Sequence, residues 1–322
     1  MEMLSDVEIK DICSAVETRF EEISRAEAED DDEPPDVLYH YTSAQGLLGI
    51  VRSRQIWSTN VLYLNDASEL SHATGVLTSE LETAPLKLRA NAGTFSMSIP
   101  WYSKDLTLDH FVASFCEDKD LLGQWRGYGS GAGYSVGFSS SALRSVAARS
   151  ENNDRGVCTL RKVKYDLDQQ KLMIRTRIVA LNEILEPVAE GLEPTYDEEF
   201  RRLVLLWNQI AASFHPTLAL MKHAAFEGEK EWRLVRTLWK PPVPTADWPV
   251  QFRVIGSRLV PYLSVAWDLP NTPPSPELRG LREVWCGPSE NPELTEKVVR
   301  DLLIAEHCWS VRVFRSQVPL RT

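Results

Sequence analysis

The chain has 322 residues, 43% of them hydrophobic and 25% charged, with 35 Lys and Arg against 46 Asp and Glu for a formal net charge of −11. That composition excludes a disordered or fibrous protein, and the negative balance removes the broad pull on phosphate that nucleic-acid coats depend on. Five cysteines, Cys13, Cys116, Cys158, Cys286 and Cys308, are widely spaced without a C-x-x-C pair, so they read as reduced thiols of a cytoplasmic protein rather than a disulfide framework or zinc ribbon. The start, MEMLSDVEIKD, is acidic where a secretory signal is basic, and no stretch reaches the ~18 apolar residues a membrane span requires.

Leu4, Val7, Ile12, Val16, Phe20 and Ile23 recur at steps of three to five and predict an amphipathic helix over residues 5–25. Its stripe needs a cover, from the same domain or from a second copy in a homodimer. Glu27, Glu29, Asp30, Asp31, Asp32, Glu33 and Asp36 then crowd around two prolines. This run cannot bury apolar surface and repels itself, so it reads as a solvated linker. The division expected is an N-terminal helix over 1–27, an acidic linker over 28–36 and a single α+β domain over 37–322.

Within that domain, Val37 to Tyr41 is β-favouring, Thr42 and Ser43 are cap residues, and Leu47, Leu48, Ile50 and Val51 fall at helical spacing. A strand over 55–59 leads to a turn-rich loop, Tyr63-Leu-Asn-Asp-Ala-Ser-Glu69, and a helix over 68–83. Strands are expected at 94–101 and 111–116, a helical turn at 121–128, and a break through Gly129 to Gly133. Then come a strand at 134–138, a helix from about Ala142, a strand at 157–165 and helices over 169–191 and 198–222. Strands at 231–238, 251–255 and 281–286, a helix over 292–305 and a strand at 310–314 complete the chain. Helices and strands are mixed without regular alternation, which favours α+β over a doubly wound parallel sheet.

No P-loop, G-x-G-x-x-G, H-E-x-x-H or G-x-S-x-G occurs, which removes the usual support for ATPase, dehydrogenase, zincin and hydrolase readings. Two polar constellations remain. His40 and Thr42 sit where a strand runs into a helix, as ligand residues or as a satisfied histidine and a helix cap. Near Lys222 and His223, the period of two puts Glu229, Glu231, Arg233 and Val235 on one face of an extended segment, with Trp232 and Leu234 on the other. This face is either a reactive carboxylate with its partners or a row of ion pairs. Asn65, Asp66 and Glu69 are too few for a hard-metal site and read first as a capped helix start.

Five blocks in order resemble the bacterial domain-of-unknown-function 2971 family: Leu38-Tyr-His-Tyr-Thr-Ser43 with Gly46 to Ile50; Tyr63 to Glu69; Ser114-Phe115 with Leu121, Gln124-Trp-Arg126 and Tyr128; Gly133 to Phe138; and Lys222-His223 with Phe226, Glu229 and Glu231 to Val235. These blocks are similar in kind to those of ADP-ribosyltransferases. The resemblance implies split mixed β-sheets with flanking helices, NAD as co-substrate, and a macromolecular acceptor, as in toxins and antiviral defence effectors. It places His40 and Thr42 at the NAD ribose and Glu231 as the catalytic carboxylate, with Glu229 completing a Glu-x-Glu pattern. Tyr41, where polymerases of that superfamily have glycine, or Trp125 would cover the nicotinamide, and Arg126 or Arg233 would meet the pyrophosphate. Such a carboxylate bonded to the ribose 2′-hydroxyl stabilises an oxocarbenium-like transition state more than the ground state. The alternatives are a nucleotide-sensing or protein-interaction module without catalysis, and a metal-dependent nuclease relying on Asp66 or Glu69.

Overall fold

A computed structural model describes residues 4–64, 67–84, 108–128, 133–151, 157–188, 197–239, 248–267 and 280–319. The strand expected at 94–101, Asn65, Asp66 and the glycines at 129 and 131 lie outside the described residues. In chain order the elements are α1 (Asp6–Glu29), β1 (Val37–Thr42), α2 (Ala44–Ser53), β2 (Gln55–Asn60), α3 (Ala67–Glu82), β3 (Leu108–Cys116), α4 (Leu122–Tyr128), β4 (Tyr134–Ser139), α5 (Ser140–Glu151), β5 (Cys158–Lys162), α6 (Leu167–Leu185) and α7 (Asp197–Leu218). A 3-10 turn (Ala224–Glu229) leads to β6 (Glu231–Trp239), β7 (Gln251–Ile255), β8 (Arg258–Ala266), β9 (Leu281–Cys286), α8 (Pro292–Ala305) and β10 (Arg312–Arg315).

The architecture is α+β: among the described residues, one mixed sheet of ten strands with helices on both faces. The sheet branches at β3. One edge of β3 is occupied by β6 along its whole length, from Leu108↔Trp239 to Cys116↔Glu231. The other edge is shared, because Phe111 and Val112 pair with β2 while only Cys116 pairs with Tyr39 of β1. Beyond β1 run β4, β9 and the parallel strand β10; beyond β2 run β8 and β7. Ala113 to Phe115 therefore lie in a fork between two diverging wings, and α2 spans that fork as the connection from β1 to β2.

Alternation along the strands sorts the core into two layers. Val112 and Val235 face a layer built from α1, α3, α6 and α7, with Val16, Phe20, Leu77, Ile174, Leu206 and Phe214. Leu38, Phe115, Val136, Phe138, Trp232 and Leu234 face α2, α5 and α8. On the first face, farther along, Tyr39, Tyr41, Cys116, Trp125 and Trp285 make an aromatic cluster beneath α4.

The acidic stretch departs from the expected linker. The helix runs on to Glu29, its Ile12, Val16, Phe20 and Ile23 are buried in the domain's own core, and no stripe is left for a second copy. The acids are then used. Arg161 Nε donates to Asp31 at 2.7 Å, Lys164 donates to the other oxygen of the same carboxylate, and Glu27 accepts both ends of the Arg177 guanidinium at 2.7 and 2.9 Å. Arg161 and Arg177 are among the most deeply buried side chains, so their counter-charges must be supplied locally. Residues 4–36 are thus built into the domain.

One strand escaped the sequence reading. In β8, Pro261 interrupts a β-favouring run, the usual argument against a central strand. The structure accommodates it just past the last pair with β2, Thr59↔Tyr262, where β8 pairs only with β7 through Phe252↔Pro261. The β7–β8 hairpin turns at Gly256, whose φ of +58° suits glycine.

Candidate functional site

Two polar centres flank Ser114 of β3. The first is a cluster of five charged side chains drawn from four places: Glu69 in the first turn of α3, Lys222 after α7, Glu229 at the end of the 3-10 turn, and Glu231 with Arg233 on β6. Arg233 donates from Nε to Glu231 at 2.7 Å, from Nη2 to Glu231 at 3.0 Å and to Glu69 at 2.7 Å, and from Nη1 to the Ala219 carbonyl at 2.6 Å. The Lys222 ammonium meets Glu69 at 2.8 Å, Glu229 at 2.5 Å and Glu231 at 3.1 Å. All three ammonium protons therefore have carboxylate partners.

Register explains why the members meet. Glu231 and Arg233 point to the same face, as their spacing predicts, and Ser114 lies opposite Arg233. Tyr165 fixes the start of the strand by accepting the Glu231 backbone N–H at 2.9 Å, and Gln170 holds the Lys222 carbonyl at 2.8 Å. Burial pushes the Glu231 carboxyl upward, but the charges of Arg233 and Lys222 outweigh it, joined by the hydrogen bonds from Arg233, and hold it down at about 2. The same carboxylates raise Lys222 against the opposing effect of its burial. Glu231, Lys222 and Arg233 are ionised near neutrality, and Glu231 is only 3% exposed.

The second centre is the fork. Where β1 leaves β3, the imidazole of His40 takes over from the backbone ladder and Nδ1 bonds the Ser114 carbonyl at 2.9 Å. A carbonyl only accepts, so Nδ1 carries the proton and Nε2 is an acceptor. Burial lowers the His40 pKa against the pull of that carbonyl, and the positive charge of Arg253 lowers it further, so the ring is neutral. The ring remains half-buried. Arg253 of β7 lies over Trp57 of β2 at 5.4 Å and Tyr262 of β8 at 5.7 Å, and its Nη2 donates to Thr59 Oγ1 at 2.6 Å.

The expected site residues divide between these centres and a third place. Glu229, Glu231 and Arg233 come together in the ion cluster; His40 belongs to the fork, and by alternation it sits on the face opposite Glu231. Thr42 lies at the end of β1 with its hydroxyl against Gly46, and the cap of α2 is Ser43, whose Oγ accepts from Gly46 N–H at 3.2 Å. Tyr41 and Trp125 pack edge to face at 4.8 Å. The Tyr41 hydroxyl donates to the Asp118 carbonyl at 2.8 Å and accepts from Leu121 N–H at 2.9 Å, while Trp125 Nε1 donates to Asp120 at 2.7 Å. Both rings buttress the loop before α4. Arg126 is exposed on α4. The residues missed from the sequence are Trp57, Thr59, Arg253 and Tyr262, which only the hairpin's return to β2 brings together. Among the described residues no group of three His, Cys, Asp or Glu is placed to hold a metal ion, and both Glu69 oxygens are engaged by cations. No helix among those residues is long and apolar enough to cross a membrane.

Residues 124–234 match the family model described as "Protein of unknown function (DUF2971)", which supports the family resemblance over that segment, from α4 to the first half of β6. No curated protein and no solved structure matches the chain.

Proposed function

We propose that the chain is a nucleotide-binding protein whose ligand, NAD or a related dinucleotide, enters at the fork beside His40. The observation that carries this reading is the imidazole's bond to the Ser114 carbonyl: it leaves a neutral ring with an acceptor nitrogen, suited to a ribose hydroxyl, at a gap between strands. What supports the reading at the level of the fold is coarser, an α+β architecture with a mixed sheet and flanking helices; the described strands join in one sheet rather than in the split sheets that the resemblance implies. The completeness of the ion cluster favours binding without chemistry, since Glu231 has no oxygen free of Arg233 or Lys222.

Transfer of ADP-ribose from NAD to a macromolecular acceptor is the second reading, and Ser114 supports it. Its carbonyl accepts from His40 and its partner across the ladder is Arg233, which holds Glu231, so one residue of β3 stands between the two groups that such chemistry needs. Glu231 is already ionised, as the stabiliser of an oxocarbenium ion must be. Turnover requires the Glu69 arm to withdraw from Arg233 and Lys222 so that a sugar reaches the carboxylate.

Calorimetric titration with NAD, together with chromatography for free nicotinamide, separates the two. Saturable binding without nicotinamide fits the sensing module. Nicotinamide release that disappears in a folded, NAD-binding Glu231→Gln variant fits the transferase. A wild-type chain that binds neither NAD nor ADP-ribose overturns both.

A further inference from the structure

Arginines buried in this protein are paired with acids: Arg161 with Asp31, Arg177 with Glu27, Arg233 with Glu231 and Glu69. Arg253 differs. Half-buried at the fork, it meets no carboxylate among the described residues; its partners are the Thr59 hydroxyl and the rings of Trp57 and Tyr262. Its Nε is buried with no hydrogen-bond partner.

The geometry of that contact matters. Ring contacts engage the faces of a guanidinium, whereas its five N–H donors lie in the plane. Here one edge bonds Thr59, and the buried Nε has no acceptor among the described residues. Removing a cation from water without a counter-charge costs free energy that a ligand anion restores. The titratable groups around it are His40, whose pKa this charge depresses, and the phenol of Tyr262; neither is a carboxylate. In a chain of net charge −11, a cationic spot free of acids is a local exception.

We infer that Arg253, held by Trp57, Tyr262 and Thr59, is the phosphate-binding subsite of the fork and takes the diphosphate of a nucleotide. This deepens the nucleotide reading above and rests on it for the ribose end of the ligand. By register Arg253 stands on the Val112 face and His40 on the other, so a ligand that threads the fork would offer its phosphate to the donor edge of Arg253 and a hydroxyl to the acceptor nitrogen of His40. The positioning is built by β2, β7 and β8, none of which carries a residue singled out in the sequence.

The test uses the full chain and an Arg253→Met variant, which keeps an aliphatic stem over the rings without the charge. Calorimetry with ADP, inorganic pyrophosphate and nicotinamide riboside is paired with thermal melting. At least a tenfold loss of ADP and pyrophosphate affinity, with nicotinamide riboside binding retained and melting unchanged or raised, supports the subsite. Equal ADP affinity in the variant overturns the subsite and leaves the fork reading standing. If the wild type binds pyrophosphate but not the riboside, and the variant binds neither, the subsite holds and the ribose reading fails. If the wild type binds none of the three, both fail. Should Arg253→Met melt well below wild type, Arg253→Lys decides: a charge that restores melting but not ADP binding keeps the subsite, and one that restores neither overturns it in favour of a purely structural arginine.

Discussion

At the scale of single residues, Glu231 is held by charge rather than by solvent. Replacing it with glutamine leaves Arg233 and Lys222 short of a counter-charge inside the protein, and breaking a buried pair in this way costs about 3–5 kcal/mol. Glu231→Gln is therefore expected to lower the melting temperature by many degrees, and thermal scans of wild type and variant check it. Activity lost in that variant is informative only below its own transition. The pH dependence follows from the depressed pKa. The contribution of Glu231 is complete above about 4.5 and is lost as pH falls through about 2. His110 acts earlier: burial lowers its pKa from 6.5 to about 4, so the unfolded chain takes up a proton first and stability declines as pH drops across that interval. Denaturant midpoints measured from pH 7 to 4 should fall in the wild type and fall less in His110→Asn. The sequence showed Glu231 and Arg233 sharing a face because strand alternation is local. It did not show the cage, since Glu69 stands 164 positions from the guanidinium it binds.

Elements show the same division between local and distant causes. The turn from β1 into α2 was readable, down to its cap residues, because capping is decided within four positions. Its constraint is tight: a Cβ on Gly46 would sit 1.9 Å from Thr42 Oγ1. Gly46→Ala is expected to destabilise by about 1–3 kcal/mol, as overpacking does, and to weaken any ligand bound at the fork; melting and NAD titration of that variant check both. By contrast, Glu27 and Asp31 of the acid run were misread as solvated along with their exposed neighbours, since composition records like-charge repulsion and not the arginines that cancel it. Asp31→Asn removes the partner of the 1%-exposed Arg161 and is expected to melt lower than Asp32→Asn, whose lysine partner Lys162 is far more exposed. β8 was lost to its proline, a residue whose cost depends on which edge of the strand is paired.

Across the whole molecule, β3 is the common member. It carries β6 on one edge and both β1 and β2 on the other, and its side chains reach both core layers. Separating either wing from β3 exposes both layers, so the chain should unfold in one cooperative transition. Hydrogen exchange followed by mass spectrometry should find the slowest amides in peptides covering residues 111–115 and 232–235. A wing that exchanges as an independent unit, well before β3, would contradict that expectation. The branching itself was beyond the sequence, because nothing in residues 108–116 records how many strands claim one edge.

The clamp on α1 also sets an order of events during synthesis. Asp31 and Glu27 wait for arginines 130 and 150 positions downstream, and α7, whose Phe214 packs on Phe20 at 4.9 Å, is made later still. At cellular elongation rates that is roughly 10–30 s during which a nascent chain displays a greasy ridge with nothing to close it. The run of negative charge beside that ridge is expected to repel other copies of the chain until α7 arrives, a contribution to solubility that ends once the arginines lock it down.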